Sequence, residues 1–146
     1  MKALLATAVF IGCFFFANAK SSPAAEAPLS VEQLRAKATH IVSGKVLEVT
    51  SKTQKSAVEK AAGVHRDKIF TLTVEVDKPQ KGSGFKRGDK ITVIAWQPSL
   101  RIPPLPGLQG HETIPEKGGS ATFYLKEAGN GTYEPVHANA IQEDEG

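Results

Sequence analysis

The residues in this sequence whose types and spacing best suit chemistry are the neighbours His111 and Glu112. An imidazole nitrogen and a carboxylate oxygen are both good metal ligands, so the pair could serve a small metal-dependent or hydrolytic enzyme. The helical HExxH motif is not completed, because Thr113, Ile114 and Pro115 follow and a proline spoils the required helix. None of the four histidines lies four residues from another. The alternative interpretation of the pair is an ordinary polar loop.

Other catalytic signatures are missing from the sequence. The segment Gly82-Ser83-Gly84 is too short to be a GxSxG nucleophile motif, and the glycines do not form a Walker pattern. No two carboxylates stand out as an acid and base couple. We therefore expect no cofactor and no metal site, and an enzyme is only the alternative function.

A long proline-rich segment, residues 97–119, carries most of the remaining candidate residues. Its five prolines indicate a stiff, partly extended loop, and loops of this length in compact domains are usually functional or disordered. Its apolar residues, with the tryptophan before it, either form an exposed patch that binds a partner or fold back as a lid over the domain. The lid is the commoner arrangement. The apolar set is Trp96, Leu100, Ile102, Leu105 and Leu108. The predicted binding residues are Trp96, Arg101, Leu105, Leu108, His111 and Glu112.

Composition limits the choice of partners. The 146 residues fit one domain, and the formal net charge of +3 comes from basic residues scattered along the chain. Binding of single-stranded nucleic acid uses basic grooves with stacking aromatic rings, and aromatic residues make up only 7% of the sequence. We therefore expect no nucleic-acid partner.

The first 19 residues resemble an export signal. Lys2 supplies the positive start, residues 3–16 are almost continuously apolar, and Ala17-Asn18-Ala19 gives the small-x-small pattern of a cleavage site. The apolar stretch is shorter than the roughly 20 residues that span a bilayer. We expect cleavage after Ala19 and a mature chain that begins at Lys20.

Cys13 is the only cysteine. Because it lies within the predicted signal, the mature domain would contain neither a disulfide nor a thiolate metal site. A second interpretation treats residues 10–13 as a bacterial lipidation motif, in which Cys13 would anchor the chain to a membrane.

Local patterns predict the remaining elements. Residues 20–29 form a tether, and Ser30 and Gln33 have capping-box spacing at the start of a helix that ends near Ala38 or Thr39. Residues 40–50 form a strand with a bulge or sharp coil beside Gly44. A polar, solvated connection, either a helical turn or a mobile surface loop, covers residues 51–66.

Three further segments show strand signals. Period-two alternation predicts strands over residues 68–76 and 90–96, the first presenting Phe70, Leu72, Val74 and Val76 on one face. Another strand covers residues 121–125. The Asn130-Gly131 pair predicts a tight turn into a last strand at residues 132–136. Residues 143–146 are an acidic tail that we expect to fray.

Several short motifs resemble those of the netrin/TIMP-like group of OB-type barrels. Residues 41–46 (IVSGKV) match the first-strand pattern of a hydrophobic residue followed by V-x-G-x-V, and Val76 with Lys81-Gly82 matches a V-x-x-x-x-K-G ending of the second strand. Gly118 occupies the place of the group's turn glycine. The resemblance covers residues 38–125 and implies a five-stranded barrel. It implies no inhibitor activity, since the metalloproteinase inhibitors of the group use an N-terminal cysteine, whereas the predicted mature chain begins at Lys20 and contains no cysteine.

The sequence thus predicts a mainly β fold, a small five-stranded OB-like barrel with one short N-terminal helix, formed by residues 30–142. The predicted function is an exported, non-enzymatic binding or interaction module, secreted or periplasmic, whose partner is a protein or envelope component. The membrane would be involved only during export or through a lipidated Cys13. The alternative is a small metal-dependent or hydrolytic enzyme that uses residues 97–118.

Overall fold

The computed structural model describes residues 27–59, 62–106 and 109–144. The predicted signal peptide with Cys13, most of the tether and the candidate binding residue Leu108 lie outside these ranges.

One short helix precedes the sheet. Helix α1 spans Val31–Lys37, and the predicted capping box is confirmed: the Gln33 amide donates to Ser30 Oγ while the Ser30 amide donates to Gln33 Oε1. Leu34 is fully buried, whereas Val31 is 42% exposed, so the helix faces the protein through Leu34 and not through Val31. The helix therefore packs through Leu34 and the following Ala38 against Ile41 and Tyr124, on the face of the sheet opposite the inward-facing Val42 and Phe123.

Six strands follow the helix. They are β1 (His40–Lys55), β2 (Val64–Lys81), β3 (Lys90–Ile102), β4 (Ser120–Gly129), β5 (Thr132–Pro135) and β6 (Ile141–Glu143). Hydrogen bonding runs in the order β1-β2-β3-β5-β4, and β4 pairs with β1 as well, which closes a ring of five strands. The pairings are antiparallel except that between β3 and β5. The predicted mainly β, barrel-like fold with one short helix is confirmed.

Gly44 lies where β1 changes neighbours. The first half of β1 pairs with β4 on one side and β2 on the other, and the register with β2 shifts between Ser43 and Gly44. A Cβ at Gly44 would overlap the backbone oxygen of Glu75 and would lie 2.8 Å from Cγ1 of Val74. The bulge predicted beside Gly44 is confirmed, and the close approach of β2 explains why glycine is required there.

The inward faces of the ring form the core. Residues 72, 74 and 76 of β2 and residues 91, 93 and 95 of β3 are buried, as their alternation predicted. They pack with Val42 and Val46 of β1 and Phe123 and Leu125 of β4. In the described part of the chain, no helix is long and apolar enough to cross a bilayer.

Three strands extend beyond the ring, which corrects two sequence predictions. Residues 51–55 and 64–66 are strand rather than a surface loop or helical turn, and residues 97–102 continue β3 rather than beginning a loop. Lys55 lies opposite Arg66, and Val64 lies opposite Ile102. Polar strands of this kind lack an alternating signal, because cross-strand backbone pairing rather than burial holds them. We call residues 51–59, 62–68 and 97–102 the arm.

The C-terminal part also differs from its prediction. Asn130 and Gly131 have φ values of 53° and 71°, which confirms the predicted tight turn. Beyond β5, however, Ile141–Glu143 adds a sixth strand against β4. The Asp144 amide then donates to Ser120 O at 3.0 Å. The start of the acidic tail is therefore paired rather than frayed.

Candidate functional site

His111 closes an edge of β3 instead of facing solvent. The amide of Trp96 donates to His111 Nδ1 at 3.0 Å, and the amide of His111 donates to Trp96 O at 2.8 Å. The two rings meet edge to face with centroids 6.4 Å apart. Burial lowers the pKa of His111, and this effect is partly opposed by hydrogen bonds to the backbone of Trp96 and Pro135. His111 therefore takes the place of a neighbouring strand.

Glu112 points to a different environment. Its amide donates to Ala138 O at 2.9 Å, while its exposed side chain lines an open groove. Among the residues that the structure describes, no group of three or more His, Cys, Asp or Glu side chains is placed to hold a metal ion. His111 and Glu112 are adjacent in sequence, but their side chains lie in different surroundings.

Arg101 connects strands β2 and β3 of the arm with the segment that follows β3. Its guanidinium forms an ion pair with Asp67 and donates to the backbone oxygen of Arg66 and to Oε1 of Gln109. The side chains of Arg101 and Asp67 are only 10% and 13% exposed. The hydrogen bond to Gln109 fastens the segment after β3, which leaves the strand through a cis Ile102–Pro103 peptide, onto the arm.

The apolar residues around the proline-rich segment divide into two groups. Trp96 and Leu105 are half-buried, in keeping with the lid arrangement. Leu100 and Ile102 are 40% and 55% exposed, in keeping with the patch arrangement. Among the predicted binding residues that the structure describes, Trp96 and His111 contact each other, whereas Arg101 pairs with Asp67 and Glu112 lines the groove.

An open groove of about 910 Å³ lies at the base of the arm. Four of its lining residues are apolar: Val49, Phe70, Ile114 and Pro115. Its charged lining residues are Glu112, Glu116, Lys117 and Glu143. The ammonium of Lys68 lies 5.1 Å from the centre of the Phe70 ring. The groove thus combines an apolar floor with a rim that carries three carboxylates and one ammonium group.

The groove lies beside an unpaired strand edge. Val46 exchanges backbone hydrogen bonds with Gly118 and Gly119, but beyond it residues 48–55 of β1 pair only with β2 in the described parts of the chain. The opposite edge of the sheet is different. There His111 covers Trp96, and Pro98 has no amide to donate. The free edge of β1 is therefore the more accessible template for another strand.

Most of the groove was not predicted as a site. The sequence patterns place Val49 and Phe70 in predicted strands and Glu143 in a tail that is expected to fray. The sequence offers one signal for the groove, which is the position where an alternating apolar pattern ends. Phe70 continues the buried face of Leu72 but is only half-buried, because it lies where the ring ends. The contribution of Glu143 depends on the pairing of β6 with β4, a long-range contact.

Comparisons with protein-family models, with curated proteins and with solved structures found no match.

Proposed function

We propose that this chain is an exported, non-enzymatic binding module that holds an extended segment of another protein or envelope component in the groove. The observation that carries the proposal is the apolar floor formed by Val49, Phe70 and Ile114 beside the unpaired edge of β1. A free strand edge offers main-chain hydrogen bonds, and a neighbouring apolar groove receives side chains from the added strand.

The mode of binding follows from strand geometry. A segment paired to residues 48–53 would present alternate side chains to the same face, so every second residue would reach the floor. The carboxylates of Glu112, Glu116 and Glu143 outnumber the ammonium of Lys117. The groove therefore favours a segment with apolar residues at alternating positions and basic residues beside them.

The cellular setting is part of the same proposal. Export rests on the pattern of residues 1–19, and anchoring through Cys13 stays the alternative. The likeness to the netrin/TIMP-like group also stays a prediction. No geometric observation favours the alternative enzyme, since Nδ1 of His111 is occupied by the Trp96 backbone.

The test is selection of extended ten-residue peptides from a random display library against the purified exported chain. Phe70→Glu removes part of the floor and adds a carboxylate, so selected basic-apolar peptides should bind at least tenfold more weakly. Ile114→Ser should weaken them in the same direction without a new charge. The matched control Val31→Glu changes an exposed residue of α1 and should have no effect. Equal affinity of the wild type and both groove variants, with unchanged thermal unfolding, would exclude the groove as the binding site.

A further inference from the structure

We propose that the arm docks on the surface of a bilayer that contains anionic lipids. This inference concerns a second surface and goes beyond the binding of a polypeptide in the groove. It rests on the apolar residues, the charge and the dimensions of the arm.

The arm concentrates the exposed apolar side chains. In the ranges that the structure describes, five large hydrophobic residues are exposed, and four of them are on the arm: Val58, Val64, Leu100 and Ile102. Val64 and Ile102 are direct cross-strand partners, and Leu100 lies two residues from Ile102 on the same strand. Cross-strand partners have Cβ atoms about 5 Å apart, so these side chains form one patch at the tip. Such a patch on a surface marks a contact site.

The same part of the chain carries the positive charge. The described residues of the arm include five basic and two acidic side chains, an excess equal to the formal net charge of +3 of the whole sequence. Glu59 pairs with Lys55 and Arg66, and Asp67 pairs with Arg101. In the described ranges neither carboxylate pairs with Lys52 or Lys68. The Lys52 ammonium, and the Lys68 ammonium beside the Phe70 ring, therefore carry positive charge that no ion pair in the described ranges neutralises, and both can attract anionic headgroups.

The alternation of β2 places apolar and basic groups together. Val64, Arg66 and Lys68 share one face of the strand, since side chains two residues apart point the same way. Leu100 lies opposite Arg66. A charged surface interleaved with aliphatic side chains matches the boundary between lipid headgroups and acyl chains. A nucleic acid would instead call for stacking aromatic rings, and Phe70 at the base is the aromatic residue of this face.

The length of the arm sets the depth of contact. Phe70 at the groove lies six positions after Val64 at the tip, a distance of about 20 Å along a strand. Only the tip side chains would enter the interface, because unpaired backbone groups at strand edges are not tolerated in the hydrocarbon core. The groove would then stay outside the lipid, open to its polypeptide.

The experiment is co-sedimentation of the purified chain with phosphatidylcholine vesicles that do or do not contain about one-third phosphatidylglycerol. The chain should sediment with the anionic vesicles alone, and 1 M salt, with a Debye length of about 3 Å, should release most of it. Lys68→Gln, on the face that carries Val64, should weaken binding roughly fivefold, and Lys52→Gln, which lies opposite Ile69 and so on the other face of the arm, should weaken it less. The double variant Val64→Ser/Ile102→Ser should weaken it at least tenfold.

Two control variants separate the arm from the remaining surface. Val31→Ser removes an apolar side chain of similar exposure on α1, and Lys37→Gln removes a nearby ammonium group; both should bind vesicles like the wild type. Ile114→Ser should weaken peptide binding in the groove but leave vesicle binding unchanged, so failure of one proposal is distinguishable from failure of the other.

Three results would overturn the inference. The first is equal sedimentation with and without phosphatidylglycerol, or none with either. The second is retention of vesicle binding by the Val64→Ser/Ile102→Ser variant. The third is a concentration-dependent dimer, or a complex with a single-stranded oligonucleotide, that this double variant abolishes while vesicles bind neither protein.

Discussion

The main chain of Trp96 is hydrogen-bonded in both directions to His111, through the imidazole Nδ1 on one side and the His111 amide on the other. A single residue thereby satisfies the donor and the acceptor that a neighbouring strand would otherwise satisfy. This relationship explains why β3 has a protected edge at the point where β1 has an open one.

Replacing His111 by Phe should destabilise the protein by about 1–2 kcal/mol at neutral pH. The aromatic contact with Trp96 would be kept, but the Trp96 amide would lose its acceptor. The folded pKa of His111 is lowered, chiefly by burial, so neutral His111 contributes stability that is complete above the unfolded value near 6.5. That contribution is lost as the pH falls through the lowered folded pKa.

Urea unfolding of the wild type and of His111→Phe between pH 8 and pH 4 measures this effect. The difference in unfolding free energy should shrink toward acidic pH, because only the wild type must take up this proton on unfolding. A difference that stayed constant across the range would show that His111 does not titrate differently in the two states.

Breaking the ion pair between Arg101 and Asp67 should be costly. Both side chains are largely buried, so Arg101→Met leaves a buried carboxylate unpaired and should lower the unfolding free energy by about 3–5 kcal/mol. Arg101→Met combined with Asp67→Leu should cost much less than the two single changes added together. The exposed pair Lys126–Glu134, with a 3.0 Å separation, is the control. Lys126→Met should cost less than about 1 kcal/mol. Additive effects at Arg101 and Asp67 would contradict the assigned coupling.

Gly44→Ala should destabilise the ring strongly. The new Cβ would overlap Glu75 O and press on Val74, so β2 must move away from β1, at a cost of about 3 kcal/mol or more. Gly84→Ala is the matched control, because its backbone has φ of +98° but nothing lies within 4 Å of its Cβ position. That change should cost about 1 kcal/mol. Thermal unfolding in which both variants lose equal stability would show that close strand approach is not the reason for Gly44.

We expect the Glu59 carboxylate to stabilise the end of the arm over a wide pH range. The His65 amide, followed by the side chains of Lys55 and Arg66, lowers the pKa of Glu59 to about 2 against the opposing effect of burial. Because its folded pKa is lowered, the Glu59 carboxylate contributes stability to the end of the arm. That stability is present above the unfolded pKa near 4.5 and is lost as the pH falls through about 2.

Hydrogen exchange of the Ser56 and His65 amides tests this expectation. In the wild type these amides should stay protected down to about pH 4 and lose protection near pH 2, after correction for intrinsic exchange. Glu59→Gln should show weaker protection that no longer changes between those pH values. Loss of wild-type protection already near pH 4.5 would mean that the carboxylate is not stabilised in the fold.

Local signals were enough to predict much of the ring. Ser30 and Gln33 mark the helix start, the alternation from Phe70 to Val76 marks an inward face, and Asn130-Gly131 marks the last hairpin. Each depends on chemistry within a few residues, such as a cap, a strand period or a turn with positive φ.

The arm and the groove depend on distant residues. Lys55 gives no local sign that it will pair with Arg66, because both residues are polar and the pairing is made by the backbone. Val49, Ile114 and Glu143 meet only after β1, the proline-rich segment and β6 have taken their places. The candidate residues His111 and Glu112 were recognisable as polar and adjacent, but their separate roles followed from the positions of Trp96 and Ala138.

The parallel pairing of β3 with β5 has a mechanical consequence. It consists of Thr92 with Thr132 and Val93 with Tyr133, whereas β1 and β2 share an antiparallel ladder that runs from Ile41 to Lys55. Local opening of a closed ring of strands is easiest at its shortest pairing. We therefore expect β5 to separate from β3 first, which would open the ring and leave the longer ladders paired. The pairing that closes this ring of strands is only two residue pairs long.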